Sequence, residues 1–432
     1  MAGAAGAPDV ASAHAPLSRA LAVGPRGAFA VRMPGFGVVL RASDTAPFAY
    51  ACDALLGLTP FDDRTGWAFR TDGTLLLASP HGLAVVAADA CRVEPVARLA
   101  DVPVVALALS ASGKVAYAIA EGAMPAVYRS ADGGDTWERR ENVPAATGDT
   151  ALFVDATDTN TIFASRVTGP DASVVLRSTD GGATFVTVEQ DLEVVLLHAE
   201  PGATGRLWAR ARTGMGMETA LLAGDKDAGA WEEKHRVRFF GGFAVAPDGS
   251  QLWVGDEAGG VFRSTDGGEA FDAVAPDVAV ACLVYANGAL WACTQGTTTQ
   301  RAVAMFADDG TDFEDVVRFA EVIDPVACPT DVLATEMCAP AWAEWRSDVV
   351  GMGGVPSPPP ATTDAGLLAD AAVETTGADA APSAEPRRSD DCGVAGGLAP
   401  PPSPAAALWL TALVLARAYR RSRVRRGRRA QP

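Results

Sequence analysis

Three nearly identical decapeptides constrain this chain more tightly than any other feature: Tyr128-Arg-Ser-Ala-Asp-Gly-Gly-Asp-Thr-Trp137, Leu176-Arg-Ser-Thr-Asp-Gly-Gly-Ala-Thr-Phe185 and Phe262-Arg-Ser-Thr-Asp-Gly-Gly-Glu-Ala-Phe271. Weaker copies follow once the spacing is known. Asp308 and Gly310 lie in one of them, Asp225 in Ala223-Gly-Asp-Lys-Asp-Ala-Gly-Ala-Trp231 marks another, and Asp89 and Asp44 mark the two faintest. The anchors 44, 89, 132, 180, 225, 266 and 308 are separated by 45, 43, 48, 45, 41 and 42 residues. Four short strands with their turns occupy about 40–45 residues, the length of one blade of a β-propeller. Seven anchors therefore predict seven blades.

Each unit repeats a strand grammar ahead of its anchor, clearest in Gly242-Phe-Ala-Val-Ala-Pro-Asp-Gly-Ser-Gln-Leu-Trp-Val-Gly255. A first strand ends in a Pro-Asp-Gly turn, a second follows, and a third enters the decapeptide. The pattern recurs with turns at Thr71-Asp-Gly73, Ser112-Gly113 and Asp158-Thr-Asn160. Alternation near period two, with Gly and Asp at the turns, predicts an all-β fold of four-stranded antiparallel blades. Within the decapeptides, Asp132, Asp180 and Asp266 are expected to accept hydrogen bonds from their own turn's backbone. Gly134, Gly182 and Gly268 supply positive φ, and Ser130, Ser178, Ser264, Thr136 and Thr184 supply hydroxyls. Trp137, Phe185 and Phe271 are expected to pack on their blades. These are structural positions, not catalytic ones.

The decapeptides match Ser-x-Asp-x-Gly-x-Thr-Trp and so resemble the Asp-box of bacterial neuraminidase (BNR) repeats, found in sialidases, sortilin-type receptors, xyloglucanases and photosystem-assembly propellers. The resemblance covers roughly residues 17–345. It implies the fold and leaves activity open, because the boxes of that family lie away from the functional face. Val31-Arg-Met-Pro34 resembles the Arg-Ile-Pro of sialidases, in which the arginine grips a substrate carboxylate. The remaining sialidase set is not found: Tyr50, Tyr117, Tyr128 and Tyr285 stand in no recognisable nucleophile context, and Arg32 is expected to be an ordinary strand residue. His14, His81, His198 and His235 show no zinc spacing. Asp225-Lys-Asp227-Ala-Gly229 is similar to a calcium loop with its Gly one position early. No cofactor, metal site or catalytic set is expected.

Of the 35 Lys and Arg residues, eight are arginines between Arg417 and Arg429, so the rest of the chain carries a net charge near −26. That balance argues against nucleic acid as a partner. Six of the seven cysteines (Cys52, Cys91, Cys282, Cys293, Cys328, Cys338) fall in the repeat region, as disulfides would require. Cys282 and Cys293 flank Asn287-Gly288, and a two-residue hairpin turn there sets them opposite each other, about 5.5 Å apart at Cα. Two reduced core cysteines are the alternative. Cys328 with Cys338 across a short loop, leaving Cys52 with Cys91, is a weaker expectation among the 15 possible connectivities. Disulfides imply an oxidising compartment.

The ends differ in composition. Residues 1–16 are expected to be a disordered remnant, with a signal peptide upstream; Ala11-Ser-Ala13 and Ala13-His-Ala15 suit cleavage sites. Residues 346–391, rich in Pro, Ala and Thr, are expected to be a disordered linker. Residues 392–432 contain Cys392-Gly393, an apolar run over 405–416 that is expected to form a short helix, and an Arg cluster over 417–429. That order resembles the C-terminal sorting tail of exported myxobacterial proteins, which implies that Cys392 is a processed anchoring residue at the outer membrane and that the apolar segment inserts transiently as a transmembrane helix. The expectation is a monomeric, non-catalytic, cell-surface propeller that presents a binding face to an extracellular protein or glycan. The alternative is a sialidase-like, glycan-active hydrolase with a divergent site at the propeller mouth.

Overall fold

A computed structural model describes residues 20–59, 66–169, 171–189, 193–202, 205–212, 218–227, 230–294, 301–306 and 313–318, together with 322, 324–326, 328, 336–343 and 346. The expected N-terminal remnant, the linker, the sorting tail with Cys392, and Asp308 and Gly310 lie outside them.

The chain is an all-β, seven-bladed propeller. Six sheets of four antiparallel strands and one of five follow one another along the chain. Blade 1 spans 20–51, blade 2 66–100, blade 3 104–142, blade 4 150–189, blade 5 194–237, blade 6 240–273 and blade 7 280–318. The first strand of every blade touches the first strand of each neighbour, and the first strands of blades 7 and 1 meet, so these strands form a closed inner ring.

The hydrophobic core is divided. Seven apolar clusters lie one at each boundary between adjacent blades. At the boundary of blades 2 and 3, for example, Leu76, Leu83 and Leu99 meet Val104, Ala118 and Trp137. A blade has two apolar faces and buries each only against a neighbour, so the repeat is stable as a ring and not as a unit. Second strands are accordingly largely buried, and Leu75–Ser79 and Ala116–Ala120 are buried along their whole length, whereas outer strands such as Glu138–Asn142 are largely exposed.

Closure of the ring was not anticipated in this form. Blade 1 draws all four of its antiparallel strands from the N-terminal side, and Asp324–Pro325 then adds a fifth, parallel strand at its outer edge, against Ala49 and Tyr50. A short helix over 336–343 follows and packs Trp342 on Tyr50, with ring centroids 5.4 Å apart. Two disulfides fasten this segment, Cys52–Cys338 and Cys91–Cys328. They replace the expected Cys52–Cys91 and Cys328–Cys338 pairs. The expectation favoured the partner nearest in sequence, but the chain has gone round the ring, and its end lies beside its beginning. Cys282–Cys293 pairs as expected, across a turn in which Asn287 and Gly288 both have positive φ. Their Cα atoms are 4.8 Å apart, closer than the regular ladder implies, because the register shifts between Val280 and Cys282.

Candidate functional site

Strands 1 and 3 of an antiparallel blade run in the same direction, so the first-to-second turns and the third-to-fourth hairpins share one face of the ring. Asp44, Asp89, Asp132, Asp180, Asp225 and Asp266 all fall in third-to-fourth hairpins, as the repeat spacing places them. Asp132 Oδ1 accepts hydrogen bonds from Ser130 Oγ (2.7 Å), Asp135 N (3.1 Å) and Thr136 N (2.9 Å), and Oδ2 accepts from Thr136 Oγ1 (2.5 Å). Asp180 is held by Ser178 Oγ, Thr184 N and Thr184 Oγ1. Asp266 is held by Ser264 Oγ, Glu269 N and Ala270 N. The serine hydroxyls also accept from Gly134, Gly182 and Gly268 N. Burial opposes ionisation of Asp132, but the bonds from Thr136 and Ser130 outweigh it and hold the carboxyl at about 2. Bonds from Thr184 and Ser178 hold Asp180 at about 2, and those from Ala270 and Ser264 lower Asp266.

These turns dock on the preceding blade. Arg140 Nε donates to Gly181 O (3.1 Å), Arg206 Nη2 donates to Gly267 O (2.7 Å), and Arg70 pairs with Asp135 (2.9 Å). Blade 5 uses a different device. Lys226, buried in its hairpin, reaches back to Asp155 of blade 4 (2.7 Å) and to the carbonyls of Glu200 and Gly202. Burial raises the Asp155 pKa, but Lys226 and Thr157 outweigh that and drive it well below the usual range. Within the calcium-like Asp225-Lys-Asp227, Asp227 pairs with Arg177 and its backbone N–H donates to Asp225, and no cluster of three metal-ligating side chains occurs among the described residues.

The sialidase-like fragment is also closed. Arg32 is buried, pairs with Asp53, and donates to Gly37 O and Thr59 O. Tyr50 OH donates to Phe36 O, buried Tyr117 OH donates to Thr159 O (2.8 Å), and Tyr285 stacks on Trp253. Burial pushes the Tyr117 phenol up, away from nucleophilic use.

The open space lies along the inner ring. One cavity, about 440 Å³, sits where the first strands of blades 2 to 5 begin, with Gly66, Val105, Thr150 and Val195 on its wall. A second, about 510 Å³, sits where those of blades 2 to 6 end, with Phe69, Leu109, Ala199 and Val245 on its wall, on the face of the turns. Leu107, Leu152 and Phe153 line both, so the two cavities adjoin. Their polar groups are at the ends. Asp149 pairs with Arg210 (2.5 Å) at one mouth. At the other, Glu200 accepts from Trp208 Nε1 (2.8 Å) and Arg206 N (2.9 Å); burial raises its pKa, but these bonds and the Arg206 charge lower it further. Burial, with nearby Lys226, depresses His198 against the pull of Glu200, so its imidazole is neutral at neutral pH. The cavity walls are therefore of mixed polarity, with a neutral ring at one end. Among the described lining residues, the carboxylates of Asp149 and Glu200 stand at opposite ends, each with a partner.

No protein-family model and no curated relative matches this chain. Among solved structures it is similar to a GH74 enzyme of Niastella koreensis, at 13% identity and a TM-score of 0.52, over 69% of this chain and 53% of that one. It is also similar to YCF48 bound to a D1 peptide (17% identity, TM-score 0.41, 56% of this chain and 78% of that one) and to YCF48 from Cyanidioschyzon merolae (15%, 0.41, 58% and 84%). The chain spans about half the length of the GH74 enzyme. These likenesses concern the propeller fold alone.

Proposed function

We propose that this chain is a non-catalytic, exported propeller of the Asp-box type that binds a ligand in its central channel and is displayed at the cell surface by its C-terminal tail. The observation that carries the binding role is the open space along the inner ring: two adjoining cavities of mixed polarity in which Asp149 and Glu200 are already engaged. A preformed concavity with placed polar groups and a histidine of shifted pKa is where ligand sites occur. Three disulfides support export to an oxidising compartment. The three closely similar hydrogen-bonded turns support the Asp-box assignment.

The test is twofold. Protease shaving of intact cells is expected to release propeller peptides, and their retention inside the cell would remove the surface role. Incubation with fluorogenic sialosides and β-glucan oligosaccharides is expected to give no turnover. Turnover lost on substitution of a channel residue would establish the glycan hydrolase in its place.

A further inference from the structure

We propose that an extended cationic peptide adds as a strand to the inner edge of blade 4, an assignment that rests on the open space along the inner ring being a ligand site. The first strand of that blade, Thr150–Val154, stands at the end of its sheet, so only one of its edges is paired. The pairing fixes which backbone groups are left over. Val167 N donates to Asp149 O and Asp155 N donates to Thr161 O, and in an antiparallel ladder the bonded residues alternate. Asp149, Ala151, Phe153 and Asp155 therefore bond to the second strand, and Thr150, Leu152 and Val154 turn their N–H and C=O groups to the inner edge. Among the described residues, no hydrogen bond takes up these groups.

Two features of the ring set this edge apart. Open space lies along its whole length: residues 149–153 line one cavity, and residues 152–154 with Ala156 line the other. The space is lopsided, because Gly241 and Gly242 bring blade 6 into backbone contact with blade 7; a Cβ at Gly241 would lie 1.7 Å from Val280 O. Among the described residues, the lining comes from blades 2 to 6, of which blade 4 is the middle one. The neighbouring edge, by contrast, is already used. Val194 N and Leu196 N of blade 5 donate to the buried hydroxyls of Ser173 and Ser165, at 2.9 Å each. Strand addition draws its affinity from main-chain hydrogen bonds, and a strand of five residues takes about 17 Å of extended chain. The charge of the ligand follows from that of the protein: outside its tail the chain is near −26, which attracts a cationic peptide and repels an acidic one.

The experiment is isothermal titration of the unreduced full chain with Lys-Val-Thr-Val-Thr-Val-Lys, with Glu-Val-Thr-Val-Thr-Val-Glu as the acidic control, followed by amide exchange of the complex. Saturable binding of the cationic peptide is expected, roughly ten-fold tighter at low salt than that of the control. In the free protein the amides of Thr150, Leu152 and Val154 are expected to exchange faster than those of Ala151 and Phe153, and the peptide to slow them about ten-fold. Thr150→Pro removes one inner-edge N–H at the first residue of the strand, where proline is tolerated. It is expected to weaken binding about ten-fold in protein that keeps its near-ultraviolet circular dichroism. A readout free of variants is N-methylation of the peptide: methyl groups on its Val nitrogens and on its Thr nitrogens block opposite edges, so one set is expected to abolish binding and the other to spare it. Equal effects of the two sets, or no saturable binding, would overturn strand addition and leave the open space a ligand site for other chemistry. Protection of the first strand of blade 3 instead would overturn the assignment to blade 4. Protection confined to the outside of the ring would overturn the ligand site as well.

Discussion

Asp132, Asp180 and Asp266 are the residues a search for catalytic carboxylates would select first, and each is occupied by its own turn. Asp266 lacks one bond that the others have, because Ala270 stands where Thr136 and Thr184 donate a hydroxyl. Ala270→Thr is therefore expected to raise the Tm by about 1–2 °C, and Asp132→Ala to cost about 1 kcal/mol in guanidinium unfolding. The pH dependence follows from the depressed carboxyls. Stability lent by Asp132 and Asp180 is complete above about pH 4, where unfolded aspartates are ionised, and is lost as pH falls through about 2. Amide exchange at Thr136 and Thr184 is expected to accelerate in that window. The glycines separate two effects. Gly249 and Gly268 both have positive φ, but a Cβ at Gly249 meets nothing, whereas one at Gly268 lies 2.4 Å from the buried Trp208 ring. Gly249→Ala is expected to cost about 1 kcal/mol, and Gly268→Ala distinctly more.

At the scale of elements, the blades were legible because their signals are local. A turn, a strand and a box recur within some 45 residues, and the Pro247-Asp-Gly249 turn and the Asn287-Gly288 hairpin lie where the sequence puts them. Interactions between blades were not legible, since they join residues far apart and depend on which face each strand presents. The buried Lys226–Asp155 pair spans 71 positions and Arg166–Glu121 spans 45, and no motif in the sequence links either pair. Lys226→Met is expected to cost about 3–5 kcal/mol by leaving Asp155 buried without its cation, and the double substitution Lys226→Met with Asp155→Leu to recover most of it. Denaturant titration of the three variants measures the coupling. The sequence points to the propeller's mouth as a binding surface but names none of its residues. His198, Leu107 and Phe153 belong to no functional motif, and only the ring brings them to one space.

For the whole molecule, the decisive feature is how the circle is held shut. The C-terminal segment leaves blade 7, adds a parallel strand to blade 1, and is fixed by disulfides that close loops of 286 and 237 residues. Taken singly, each removes about 5 kcal/mol of denatured-state entropy, against about 3 for the 11-residue Cys282–Cys293 loop. Reduction is therefore expected to lower the Tm far more than Cys282→Ala with Cys293→Ala, as followed by calorimetry with and without a thiol reductant. Peptide mapping of the unreduced protein, isolated from its native cell, tests the exported, disulfide-closed propeller most directly. The account predicts Cys52 cross-linked to Cys338 and Cys91 to Cys328; free thiols, or Cys52 bonded to Cys91, would contradict it.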